Sequence, residues 1–431
     1  MRDYAGTFTT DQQVFDALDI YLTHHYERLP VNFISANGVW LYADQRKVLD
    51  MMAQYSAAGF GRGYKKSCPF FTKVVDALMN ELARGCGVLP GSCANETVAE
   101  GARAICEFTG TDKVLFMNTG SEAFDTVVKI IRKWAYVVRG ISENRGIILV
   151  CGNNFHGRTL GAISASDTEQ YKEGFGPLLP GFGFVEFGNA GTLEKAFTQA
   201  PIIWGRKVLA FLTEPVQAEG GINVPPDGYL RKAKEICRKY NALFVLDEVQ
   251  TGFGRTGFNF DWEHDGDGSK AKPDLMMLGK MLGGGAYPVS AVVGCGDVMR
   301  VFGPGDHGST FGGTPLACAV VKKVVEIFQE HPEVIINAHR MGQYFKTRLI
   351  EIMKRSRNPF LKEVRGRGLL LGIKFKERLA EHFQAELLGE NVLAGVAGHG
   401  YVLRFSPALI ITEEEIDWAL PRIEKILKVK F

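Results

Sequence analysis

The sequence predicts an α/β protein built on a mostly parallel sheet with helices on both faces. Two observations predict it. The middle of the chain repeats short, almost uninterrupted apolar runs, the signature of strands buried on both faces. Those runs alternate with longer amphipathic segments, as parallel strands joined by helical crossovers require. A mixed α+β sheet gives a similar pattern, and at this level both remain open.

Near the N-terminus, NGVWLYADQRKVLDM (37–51) holds two strand-like runs around a turn. KVLFMN (113–118) reads as the first central strand and SEAFDTVVKIIRKWAYVV (121–138) as a helix. GIILVCG (146–152), VLAFLTE (208–214), ALFVLDE (242–248), DLMMLG (274–279) and SAVVGC (290–295) read as further strands. GYLRKAKEICRKY (228–240), between two of them, reads as a helix. PLACAVVKKVVEIFQ (315–329) is a helix leading into polar sequence. VRGRGLLLGIKF (364–375), YVLRFSPALII (401–411) and a final helix, EEEIDWALPRIEKILKVK (413–430), suggest a smaller α/β domain that the N-terminal runs could join.

At 431 residues the chain is too long for one simple core. The expected division is an N-terminal segment, 1–50, joining the small domain, a large domain at 51–325, and a C-terminal small domain at 326–431. Fifty basic residues against 48 acidic ones give a net charge of +2, and no reason to expect nucleic acid or a membrane as partner. Eight cysteines are spread singly, without metal-ligand spacing, so no metal is expected and a reducing cytoplasm fits best. The opening MRDYAGTFTTDQQ lacks the apolar core of a signal peptide.

Ligands of open parallel sheets bind beyond the carboxyl ends of the strands. The polar residues there are Thr119-Gly120-Ser121, Asn154 to Arg158, Glu214 with Glu219, Asp247-Glu248 with Gln250, and Lys280. Asp247 and Lys280 each follow an apolar strand. They fit either a buried ion pair or two groups acting on one ligand. A desolvated lysine is deprotonated and forms Schiff bases with carbonyls. Pyridoxal phosphate needs such a lysine, an acidic residue at its pyridine nitrogen, and a phosphate cup. N-T-G-S-E at 118–122, opening a helix, offers a cup, although a plain Ser/Thr helix cap reads the same in isolation. HGSTFGGTP (307–315) is a second polar patch before a helix. In GKMLGGG the glycines follow the lysine, so a nucleotide P-loop is not supported.

FVLDEVQTGFGRTG (244–257) followed by PDLMMLGKMLGGGAYPVSAVVG (273–294) resembles the class III, fold-type I pyridoxal-phosphate aminotransferases. The likeness runs on through MNTGSEAFDTVVKIIRKWAY, NFHGRTLGAISAS, EPVQAEGGINVPPDGYL, HGSTFGGTPLACAV, VRGRGLL and LRFSPALII, nearly the whole chain. YKEGFGPLLPGF, with Tyr26, Tyr55 and Arg404 in their contexts, resembles the branch of that class that takes the δ-amine of ornithine.

The resemblance implies a large domain with a mostly parallel seven-stranded sheet, a smaller α/β domain from the two chain ends, and a homodimer with active sites at its interface. It implies that Lys280 holds the cofactor as a Schiff base and shuttles the proton, while Asp247 pairs with the pyridine nitrogen. Gln250 would support the cofactor's hydroxyl and Phe155 would stack on its ring. Gly120 and Ser121 would hold the phosphate, completed by Thr310 of the partner subunit. Arg158 would grip a substrate carboxylate, Tyr26 and Tyr55 would position the α end of ornithine, and Glu219 would pair with Arg404. The implied reaction passes the δ-amine of L-ornithine to 2-oxoglutarate. The alternative is another ω-amine donor of the same class: N-acetylornithine, lysine or 4-aminobutyrate. The sequence departs from the family at Ala218, where glycine is usual, at Thr314, and in the segments 59–75 and 87–102. Those departures bear on the substrate more than on the reaction class.

Overall fold

The computed structural model describes residues 8, 10–43, 46–64, 68–203, 205–265 and 271–428. Part of the atypical segment 59–75, the turn inside the N-terminal hairpin, and the last residues of the predicted final helix lie outside them.

The apolar runs assemble into a seven-stranded sheet. Its order is Lys113–Met117, Ser290–Gly294, Leu275–Leu278, Leu243–Asp247, Lys207–Thr213, Gly146–Cys151 and Phe182–Val185. Ser290–Gly294 is antiparallel to both neighbours and the other pairings are parallel, so the mostly parallel expectation holds. The hand of that one strand follows from its connection. Only residues 279–289 separate it from the preceding strand, too few for a crossover helix.

Successive side chains of a strand point to opposite faces, and here both faces are apolar. Ile148, Val150, Leu212, Val245 and Met277 pack on one face with the helix Gly120–Val137. Leu149, Cys151, Phe211, Phe244 and Leu278 face the opposite core, which holds the helices Tyr229–Lys239 and Pro315–Glu330. The helix Gly120–Val137 starts where it does because Thr119 and Glu122 form a reciprocal capping box. Burying an aromatic side chain such as Phe211 or Phe244 contributes roughly 1.5–3 kcal/mol. That double-sided core makes the sheet a rigid platform for the groups at its edge.

The two chain ends meet. Arg46–Asp50 of the N-terminal hairpin pairs in parallel with Val392–Leu393. A second sheet, Leu361–Arg367, Leu370–Phe375, Val402–Phe405 and Gly395–Ala397, packs with the helices Glu333–Ser356 and Glu413–Leu427. The long helix occupies what the sequence reading treated as polar connection. Val334, Ala338, Met341, Phe345, Leu349 and Ile352 form its buried stripe at helical spacing.

Candidate active site

Parallel strands deliver their carboxyl ends to one edge of the sheet. There a cavity of about 530 Å³ is lined by Gly120, Ser121, Phe155, Arg158, Asp247, Gln250 and Lys280, all singled out from the sequence.

Lys280 follows the strand Leu275–Leu278 with a positive φ of 44°, a left-handed conformation that costs a side-chain-bearing residue about 1 kcal/mol or more. The glycines after it accommodate the bend. A Cβ on Gly285 would lie 3.1 Å from the backbone of Ala58, and φ there is +76°. The Lys280 amine donates to Gln250 Oε1 at 2.7 Å. Burial pushes its pKa below the ordinary lysine value. Glu219, Asp247 and Glu214 act in the other direction, and Arg404 adds to the depression.

Asp247 ends the neighbouring strand. Its Oδ2 lies 2.7 Å from His156 Nδ1, and its Oδ1 accepts from the Val249 amide at 3.1 Å. A carboxylate only accepts, so the proton of His156 sits on Nδ1. The imidazole is buried and stacked on Phe124, centroids 5.3 Å apart. Glu248, one residue on, faces away and holds Thr251 and the Trp262 amide. Glu214, buried, accepts from the Phe155 and Ala218 amides at 3.1 and 3.4 Å. Desolvation first, then the nearby charge of Asp247, raise its carboxyl well above the ordinary range.

The cup forms where the helix Gly120–Val137 begins. Ser121 Oγ accepts from the Arg158 amide at 3.2 Å. Gly157 crosses it at φ +125°, where a Cβ would stand 2.0 Å from Ser121 Oγ. Only glycine fits there. Phe155 stands at one wall, edge-on to Tyr171, and the Arg158 guanidinium lies 3.8 Å from the Tyr171 ring centroid. Tyr171 was missed in the sequence, where its position in YKEGFGPLLPGF served only as a family marker.

Arg404 and Glu219 form an ion pair. The Arg404 side chain is only 1% exposed, yet its Nε and Nη2 have no partner among the described residues. The strand Val402–Phe405 pairs it with Gly372 and Gly395, and a Cβ on Gly395 would lie 3.2 Å from Arg404 Nε. The Tyr55 ring lies 5.2 Å from Arg404 Cζ. Tyr55 sits in a run of left-handed residues, Ala53 to Ser56, without a glycine. Asp50 braces that run by accepting the Met52 and Ala53 amides. Tyr26 is largely exposed, and its phenol is near enough to Tyr55 to act on it electrostatically. Ala218 is buried against Val216 and Ile222, so the methyl that departs from the family fills apolar space. Thr310 is exposed and does not line this chain's own cavity.

A desolvated lysine, a carboxylate braced by histidine, an amide-lined cup and a half-satisfied arginine together suit an amino acid reacting on a phosphorylated carbonyl cofactor. The chain belongs to the class-III aminotransferase family, whose profile matches residues 21–427. It is 39% identical over 418 residues to the ornithine aminotransferase of Halalkalibacterium halodurans, covering 96% of this chain and 98% of that one. The ornithine aminotransferase of Toxoplasma gondii, solved with partial occupancy of PLP at its active site, superposes with a TM-score of 0.90 at 35% identity, covering 98% and 95% of the two chains. The acetylornithine aminotransferase of Elizabethkingia anophelis superposes with a TM-score of 0.83 at 32% identity, covering 97% and 99%.

This chain is therefore a pyridoxal-phosphate-dependent aminotransferase. The cavity fits that cofactor on its own terms. Gln250 Nε2 and His156 Nε2 are buried there without partners among the described residues, and the Gly157 crossing leaves a cradle that any Cβ would fill.

Proposed function

We propose that the chain transfers the δ-amino group of L-ornithine to 2-oxoglutarate, giving glutamate 5-semialdehyde and glutamate. The observation that carries this reading is the Glu219–Arg404 pair beside Lys280, and the ornithine aminotransferases among its relatives support it.

Bound pyridoxal phosphate supplies an electrophilic carbonyl and an electron-accepting ring. Lys280, Asp247, Gln250, Phe155, Gly120 and Ser121 would hold it, with Thr310 of the partner subunit closing the cup in a homodimer. Lys280, whose burial favours the neutral amine, would take the proton from Cδ of ornithine and return it on the far side of the transfer. Asp247, oriented by His156, would pair with the ring nitrogen and favour its protonated form, a charge that matters most as negative charge develops.

One site must accept a diamino acid and a dicarboxylic acid in turn. With Glu219 paired to Arg404, the site is close to neutral and admits the ω-amine. When Glu219 swings aside, Arg404 offers a fork suited to the second carboxylate of glutamate or 2-oxoglutarate. Its Nε and Nη2, without partners among the described residues, are donors for that carboxylate. Arg158 holds the other carboxylate, and Tyr55 and Tyr26 position the α end of ornithine. Kinetics are ping-pong. Eight unpaired cysteines suit the reducing cytoplasm.

A panel of ornithine, N-acetylornithine, lysine and 4-aminobutyrate with 2-oxoglutarate tests the reading. Ornithine should show the highest kcat/KM. A higher value for any other donor would replace the proposed substrate.

A further inference from the structure

A second cleft, about 680 Å³, opens behind the turn that carries Glu219. Lys362, Arg365, Lys374 and Lys376 line it together with His399 and Tyr401, and no carboxylate among the described residues does. Glu363 meets Arg365 Nη1 at 3.5 Å without lining the cleft, and Arg365 Nε is buried with no partner among the described residues. Lys376 gives one hydrogen to the Pro359 carbonyl, and Lys362 and Lys374 make no ion pair among the described residues. Burial first, then the nearby Arg365 and Lys362, lower the pKa of Lys374. Four like charges turned into one concavity repel each other and focus a positive potential that an anion relieves.

The turn after Ala218 runs from Glu219, the partner of Arg404, directly to the cleft. Gly220 and Gly398 line the cleft, and the Gly398 amide donates to the Glu219 carbonyl at 2.8 Å. A Cβ on Gly221 would lie 3.1 Å from Arg365 Nη2. The guanidinium therefore lies against the backbone that carries the Glu219 carboxylate.

We propose that this cleft binds a compact polyanion of the pyrophosphate type, free or as a nucleotide diphosphate, and that its occupancy shifts the Glu219–Arg404 pair. Guanidinium and ammonium groups converging on one volume match the many acceptor oxygens of such a ligand. The coupling rests on the role given above to Glu219. The binding does not.

Calorimetric titration of the cofactor-loaded protein with pyrophosphate and with ADP, at fixed ionic strength, tests the site. Saturable binding by the wild type is expected, weakened roughly tenfold or more in Lys362→Gln/Lys374→Gln by loss of charge-assisted hydrogen bonds. Lys362→Gln alone, at an exposed position, should weaken it by less and guards against misfolding in the double variant. Tighter binding of ADP identifies a nucleotide as the source, and tighter binding of pyrophosphate the free anion. No saturable binding of either, or equal binding by the double variant, overturns the site. Stopped-flow half-reactions with ornithine and with glutamate should change their rate ratio when pyrophosphate is added to the wild type, and not in the double variant. An unchanged ratio in a wild type that binds the anion overturns the coupling and leaves the site standing.

Discussion

Arg404 is buried against Glu219 through one guanidinium nitrogen, while its Nε and Nη2 have no partner among the described residues. A buried cation so incompletely satisfied is poised between two partners. Removing Glu219 leaves that cation without its counter-charge, a change usually worth about 2–5 kcal/mol at a desolvated pair. Glu219→Ala is expected to lower kcat/KM for δ-transfer from ornithine by roughly 10- to 100-fold and to favour transfer of the α-amine. Product analysis with ornithine reads it. Unchanged regiochemistry and an unchanged ornithine-to-glutamate preference would sink the switch.

Among the described residues, Lys280 is the one lysine lining the active-site cavity, which carries its proposed covalent link to the cofactor. Lys280→Ala should lose the visible absorbance of that linkage, and turnover should fall below detection. Spectroscopy of the purified variant checks the first and a coupled assay the second. Retained turnover would remove Lys280 from its assigned role.

Gly157 crosses the cup at a φ open only to glycine, with Ser121 Oγ in the space a methyl would take. Gly157→Ala should weaken cofactor retention by roughly 10- to 100-fold, as expected from losing one or two charge-assisted hydrogen bonds to a phosphate. Equilibrium dialysis against pyridoxal phosphate measures it, and wild-type retention would show that the anion sits elsewhere.

Glu214 has a pKa well above 4.5 in the folded protein, chiefly through burial. Above about pH 4.5 the unfolded chain has shed this proton and the folded chain keeps it. Stability therefore falls as pH rises through that window, by up to about 1.4 kcal/mol per pH unit from this group. Glu214→Gln removes the dependence. Its melting temperature relative to wild type should climb with pH, whatever constant offset the lost Ala218 contact adds. A difference independent of pH would mean that Glu214 ionises normally.

Much of the fold was legible because its strands are buried on both faces and read as apolar runs. Phe182–Val185 escaped because it is a short edge strand, with Gly183 within it and Phe184 exposed. The helix Glu333–Ser356 escaped because charges on its outer face hid a buried stripe that helical spacing would have exposed. Lys280, Asp247, Gln250 and the 120–121 cup could be located because strand ends mark the ligand edge of a parallel sheet. The left-handed run at Ala53–Ser56 could not, since no glycine announces it and Asp50 stabilises it through contacts visible only in three dimensions. The bracing of Asp247 by His156 is likewise a pairing of distant segments, although both residues stood among the candidates at strand ends.

The most direct measurement follows the nitrogen. Ornithine labelled with 15N at the δ position only, incubated with 2-oxoglutarate and the purified protein, should give labelled glutamate and unlabelled glutamate 5-semialdehyde. Label retained in the oxo product, or no transfer from ornithine at all, would contradict the account.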